Sequence, residues 1–245
     1  MPTPSIKLSA NVNKVATLRN SRGGHEPDVL AAVAVCVAAG VPGITVHPRA
    51  DQRHIRTSDV HGIADLLKRW PDVEYNIEGD ARPELLDMVL NVRPTQCTLV
   101  PVRPGEVTSQ AGWPPDTPVA GLATVVNGIK KIGVRVSIFV DPVPEAVKWA
   151  AAVGGDRVEL YTEPFARAFE AGRGDESFKM YAAAAELAHS LGLGVNAGHD
   201  LDLKNLPLFR RLPHLAEVSI GHALISHALY VGLDRSVRDY LDALR

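Results

Sequence analysis

Cysteine is nearly missing from this chain: Cys36 and Cys97 are the two in 245 residues. Both stand in apolar surroundings, and two such thiols make a poor disulfide framework, so a reducing compartment is expected. A basic excess is missing too. There are 26 Lys and Arg against 28 Asp and Glu, with no cationic run, which argues against a nucleic-acid partner. The opening MPTPSIKLSANVNK has no apolar signal-peptide core. Val29–Val46 is uncharged for 18 residues. Gly40, Pro42 and Gly43 interrupt it, however, leaving about 12 helical residues where roughly 20 would be needed to cross a membrane. A soluble, cytoplasmic protein without membrane contact is the expectation. The catalytic signatures G-x-S-x-G, the Walker loop, the dinucleotide fingerprint and an H-x-H metal pair are all absent. No lysine sits in the middle of a predicted strand, which removes an enzyme-linked Schiff base.

What the chain does have is a repeated unit. Strand-like segments fall at Ile6–Val12, Gly43–His47, Val73–Glu78, Gln96–Pro101, Val134–Val140, Arg157–Tyr161, Leu193–Ala197 and Glu217–Ile220. Helical patterns fill the intervals at Asp28–Ala39, Ser58–Arg69, Pro83–Val92, Val119–Ile132, Pro144–Val153, Glu176–Leu191, Leu203–Arg211 and Ala223–Val231, with Arg235–Leu244 closing the chain. Glycines just past helices, as in Ala39-Gly40, Ile132-Gly133 and Leu191-Gly192, mark the turns into the next strand. Eight strand–helix units without a linker predict an α/β fold: a single (β/α)8 TIM barrel with extra helices, one domain over 1–245. A doubly wound sheet uses the same units, so the barrel rests on the count of eight.

Two stretches exceed that plan. The helix AAVAVCVAA at Ala31–Ala39 is apolar on every face, predicting cover by an extra N-terminal segment or by another subunit. The connection Val102–Pro118 (VRPGEVTSQAGWPPDTP) is long and has no helical pattern, as expected of an active-site lid.

Polar residues cluster where strands end. The stretch Gly43–Ile55, GITVHPRADQRHI, runs from a β-branched strand straight into His47, Arg49, Arg53 and His54. The first strand ends in Asn11, Asn13 and Lys14, with Arg19 and Arg22 in the loop beyond. The third ends in Glu78, the fourth leads to Thr108, and the sixth carries Glu159. The seventh gives Asn196 and His199, the eighth Gly221 and His222. Any one of these is more often structural than catalytic. A ring of them on one barrel face is an active-site pattern. Glu78, desolvated in a barrel mouth, suits acid/base work. His47 and His199 titrate near neutrality, and the arginines with Lys14 suit anion clamps. Gly221-His222 precedes a helix whose first amides would cradle a phosphate. Two anion sites with proton-transfer groups between them point to a pair of phosphorylated substrates. Two readings compete: a divalent metal held by the histidines and Glu78, and a single-substrate phosphosugar barrel. The arginines oppose the metal, and the single substrate leaves Arg49 and His54 without a ligand.

Six motifs in order, NVNKVATLRNSRGG, GITVHPRADQRHI, NIE, LVPVRPGEVTS, VNAGHDL and IGHALI, resemble the pyridoxine 5′-phosphate synthase family over nearly the whole chain. The resemblance implies a (β/α)8 barrel assembled as a homo-octamer. It implies condensation of 3-amino-2-oxopropyl phosphate with 1-deoxy-D-xylulose 5-phosphate to pyridoxine 5′-phosphate, phosphate and water, with no metal or organic cofactor. Carried over by motif, His47 and Glu78 are proton acceptors, His199 the proton donor and Glu159 a transition-state stabiliser. Asn11, Arg22, Gly221 and His222 belong to the aminoketone phosphate site, and Asp200 is a backbone contact beside a phosphate site. Asn13, Lys14, Arg49, His54 and Thr108 belong to the deoxyxylulose phosphate site. The chain departs from the family pattern at Asn13-Lys14, where many members have Asp-His, and at Asp200, where many have Gly.

Overall fold

A computed structural model describes residues 6–101 and 109–245. Eight parallel strands close into one barrel, each bonded to its neighbours in chain order and β8 to β1. They are β1 (Lys7–Asn11), β2 (Gly43–Val46), β3 (Glu74–Gly79), β4 (Gln96–Leu99), β5 (Arg135–Val140), β6 (Arg157–Tyr161), β7 (Gly194–Gly198) and β8 (Leu215–Ile220). All eight coincide with predicted strands.

The strand sequences alternate, and that alternation sorts the barrel into two environments. Apolar members such as Leu8, Ile44, Ile77, Cys97, Val136, Val158 and Val218 are fully buried. Polar members face the axis and bond across it. Ser9 and Thr45 hydroxyls meet at 2.6 Å, Thr98 donates to Asn76 at 3.0 Å, and Asn196 on β7 reaches Gln96 on β4 at 3.3 Å. Barrels of this kind usually fill the axis with Val, Ile and Leu. This one fills it with hydrogen-bonding groups that bond to partners on other strands, apart from the buried Ser137 hydroxyl on β5, which has no partner among the described residues. The floor of the barrel is ionic: Glu74 takes both Lys7 and Arg135, and Arg157 donates to Asn196 at 2.8 Å with Glu217 3.9 Å away.

The surrounding helices are α1 (Asn13–Asn20), α2 (Val29–Ala38), α3 (Thr57–Leu67), α4 (Pro83–Val92), α5 (Val119–Lys131), α6 (Pro144–Val153), α7 (Glu163–Glu170), α8 (Gly174–Ser190), α9 (Leu206–Phe209), α10 (His222–Val231) and α11 (Leu233–Ala243). Proline in the first turn of α4, α6 and α7 starts each where its missing N–H costs no intrahelical bond. Gly40, Gly133 and Gly192 have the positive φ expected at αβ turns.

Two helices, α1 and α7, lie where the pattern gave loops. Each is eight residues long, too short for a clear 3.6-residue period, and each follows its strand with no turn signal. Within one chain, α3 and the C-terminal α11 pack against α2 and leave Ala31, Val35 and Ala38 exposed. Of the long connection, residues 102–108 lie outside the described residues. The remainder is anchored by tryptophans: Trp113 donates its backbone N–H to Phe139 and its indole N–H to Leu99 at 2.9 Å. Trp149 donates to Thr117 at 2.7 Å, and the two indoles stack at 5.9 Å.

Candidate active site

A cavity of about 270 Å³ opens at the C-terminal end of the strands. Asn11, Asn13 and Lys14 enter it from the β1–α1 junction, His47, Arg49 and His54 from the loop after β2, and Glu78 from the end of β3. Glu159, His199, Asp200, Gly221 and His222 line it from β6 and from the ends of β7 and β8. Ser109 and Ser219 also line the cavity and were not foreseen. Ser219 was in principle legible as an inward position of β8, two residues before Gly221; Ser109 carries no comparable signal.

Arg22 sits exposed beyond α1 and does not line the cavity of its own chain. Two expectations need correcting. Arg19 lies in α1 and not in a loop, and is no anion clamp. It is buried and forks onto Asp59 at 2.6 and 2.9 Å, donating also to the His54 carbonyl at 3.1 Å. Asn196 belongs to the barrel floor, not to the mouth, because its amide bonds Gln96, Glu217 and Arg157. Thr108 lies outside the described residues.

The α1 helix explains how the 13–14 pair arrives. Its first residue, Asn13, gives its N–H to Asn11 Oδ1 at 3.0 Å, and its own Oδ1 accepts the His47 backbone N–H at 2.9 Å. Asn13 therefore grips the end of β2 at the point where His47 turns inward. An amide oxygen performs this as well as a carboxylate would. Asn20 and Arg19, at the other end of α1, hold the His54 carbonyl at 2.8 and 3.1 Å. Gly221 packs closely on β1: a Cβ there would stand 3.1 Å from the Asn11 side chain, which would have to give by a few tenths of an ångström. No side chain caps α10, which leaves its first-turn amides available to a ligand.

Burial sets the protonation states. His47 is held well below the usual histidine range by burial first and by Arg49 next. His54 falls to about 4 by burial, with Arg49 and Lys14 adding to it. His199 is lowered by burial, against the pull of Asp200. The carboxylates move the other way: burial, then Glu217, pushes Glu78 up to about 8, with Arg49 opposing. Glu159 is raised well above the carboxylate range by burial, then by Glu78 and Glu217; the Thr98 hydroxyl at 3.4 Å opposes. At neutral pH His47, His54 and His199 are thus neutral, and Glu78 and Glu159 largely protonated, beside Lys14 and Arg49, an arrangement suited to anionic ligands and to moving protons. Among the described residues, no three His, Cys, Asp or Glu side chains are grouped to hold a metal, and no helix is long and apolar enough to cross a membrane.

Solved structures resemble the fold at low identity. The 3-hexulose-6-phosphate synthase from Salmonella typhimurium matches with a TM-score of 0.67 at 15% identity, over 98% of either chain. Sequence relatives go further. Proteins named pyridoxine 5′-phosphate synthase from Bacteroides thetaiotaomicron and Xanthomonas axonopodis pv. citri are 49% and 50% identical. Each alignment covers 98% of this chain, and 99% and 97% of the two relatives. The family described as pyridoxal phosphate biosynthesis protein PdxJ matches residues 8–245, and this chain belongs to that family of enzymes.

Proposed function

We propose that this chain is a pyridoxine 5′-phosphate synthase, joining 3-amino-2-oxopropyl phosphate and 1-deoxy-D-xylulose 5-phosphate in the barrel mouth. The observation that carries the reading is the convergence of His47, Glu78 and His199 on one cavity that also holds Lys14, Arg49 and the uncapped start of α10. The amide cradle before α10, with Asn11, suits one phosphate. Lys14, Arg49 and His54 suit the other, with Arg49 bearing on the charge of His47, Glu78 and His199 together. We treat residues 1–245 as one domain and 102–118 as its lid.

The amine attacks the ketone of deoxyxylulose phosphate and loses water to give an imine between the substrates, so no enzyme lysine is needed. Neutral His47 accepts a proton from carbon, and Glu78 exchanges one with the intermediate as phosphate departs. Glu159 lies deeper and steadies developing positive charge once ionised. His199, neutral in the free site, gains its proton when phosphate dianions replace water beside it and raise its basicity. Closing the carbon–carbon bond and removing water aromatises the ring. The family octamer is part of the proposal; α10, whose only fully buried residue is Leu224, offers an apolar surface for it.

The test is a coupled assay on EDTA-treated protein, following pyridoxine phosphate and released phosphate together. Equal, metal-independent appearance of both supports the reading. Neither product from folded protein would sink it.

A further inference from the structure

His199 and Asp200 are consecutive non-glycine residues in left-handed backbone, with φ of +85° and +56°. Such conformations persist only where their surroundings over-determine them. Here the surroundings are two buried polar side chains that carry no role above. Thr162, just past β6, is fully buried. Its N–H donates to the Gly198 carbonyl at 3.0 Å, and its hydroxyl donates to the same oxygen at 2.6 Å while also reaching the His199 carbonyl. On the opposite side, Asn205 donates to the Asp200 carbonyl at 3.0 Å and accepts the Asp202 N–H at 2.9 Å. Three successive carbonyls, 198 to 200, are thereby pinned from two directions.

Among the described residues the imidazole itself is held by ring contacts, with Phe139 at 5.4 Å and Tyr161 at 5.3 Å between centroids. Ring contacts limit tilt but do not fix where the Cα stands. The adjacent strand end has no slack either, since a Cβ on Gly198 would lie 2.5 Å from Glu159 Oε1. We infer that Thr162 is a positioning residue for the reaction: its hydroxyl fixes the strained Gly198–Asp200 backbone and so aims the His199 imidazole into the cavity. This rests on the reading of His199 as an acid/base group. Thr162 also joins the strand that carries Glu159 to the one that carries His199, so one hydroxyl sets the spacing of two candidate catalytic groups.

Valine at 162 keeps the volume and one methyl but has no donor. The backbone bond to Gly198 survives, so the barrel remains closed while the His199 carbonyl is released. Steady-state kinetics and thermal melts of wild type, Thr162→Val and Thr162→Ser decide the matter. In folded Thr162→Val, kcat should fall about 10- to 100-fold, the size of effect a displacement near 1 Å produces. KM should stay within about threefold for the substrate whose phosphate Lys14, Arg49 and His54 hold, because those residues lie outside the released turn. Thr162→Ser, which restores the donor, should recover most of the rate. Thr162→Val with wild-type kcat would overturn the inference. So would Thr162→Ser as slow as Thr162→Val, which would assign the role to methyl packing. If Thr162→Val does not fold, Asn205→Ala releases the same turn from its other side and carries the same expectation; unchanged kcat there overturns it. An inactive wild-type control would defeat the proposed function itself, and the inference with it.

Discussion

His47 Nδ1 lies 3.9 Å from Glu78 Oε2, with each side chain at most 10% exposed. That is ion-pair range but too long for a hydrogen bond. Burial favours the uncharged form of both partners, so near pH 7 a neutral acid faces a neutral base. Moving one proton turns them into an ion pair, and an anionic substrate between the flanking cations changes which state is preferred.

Replacing Glu78 with Gln should nearly abolish turnover while phosphate ligands still bind, as calorimetry would register. It should also change how stability depends on pH. The folded-state value of Glu78, about 8, exceeds the ordinary 4.5. The native state therefore binds more protons across that window, and stability falls as pH rises through it. The lowered histidines act oppositely: the unfolded chain takes up their protons below about 6.5, so their cost appears only in acid. Wild-type Tm should consequently decline between roughly pH 6.5 and 8.5, and Glu78→Gln should lessen that decline, leaving the part due to Glu159. Parallel curves would show that Glu78 is not protonated in the free protein.

Asp200 puts a carboxylate on the cavity wall, in backbone that glycine adopts without strain. Asp200→Gly should lower KM for a phosphorylated substrate about fivefold, corresponding to ~1 kcal/mol for a unit charge in a solvated site. The gain should shrink in added salt. Tm should move little, because relief of the left-handed strain is offset by the looser unfolded chain. A KM that rises would mean the carboxylate itself serves as a ligand contact.

The sequence made the strands legible because each is a short β-branched or alternating run ending at a turn, and eight of them leave few ways to close. The cavity was legible for the same reason: residues at or beyond the ends of seven strands share one mouth. What escaped was anything decided by a partner distant in sequence. Arg19 looks like an anion clamp until Asp59, 40 residues on, is seen to occupy both its terminal nitrogens while Asn20 takes the third. Asn196 reads as a strand-end residue, yet a register shift beside it and the three polar partners of its side chain fix it on the floor.

The floor should bear on stability rather than rate. Arg157→Met removes a charged hydrogen bond to Asn196 and leaves Glu217 without the cation nearest to it. The expected loss is about 2 kcal/mol, seen as a lower denaturant midpoint. The kcat should stay within about twofold, since the mouth groups do not bond Arg157. A kcat that collapses while the fold survives would make the floor part of the catalytic apparatus.

The α10 helix carries the last prediction. Its ten residues, HALISHALYV, contain no Lys, Arg, Asp or Glu, and Leu224 is the only one fully buried. At its C-terminal end Leu229, Tyr230 and Val231 are 72%, 88% and 40% exposed, and Leu18 on the neighbouring α1 is 53% exposed. Single apolar residues on a surface are ordinary, but a contiguous group at one helix end marks an association site. An assembly built from copies of this chain would cover it and remove that area from water. Tyr230→Asp places a charge in the centre of the patch, where burial without a partner is costly. By sedimentation or light scattering, the wild type should run as an octamer and Tyr230→Asp as a smaller species with the barrel still folded. An unchanged octamer would place the contact elsewhere, with the exposed strip of α2 at Ala31, Val35 and Ala38 the next surface to charge. A monomeric wild type would reject the octamer outright.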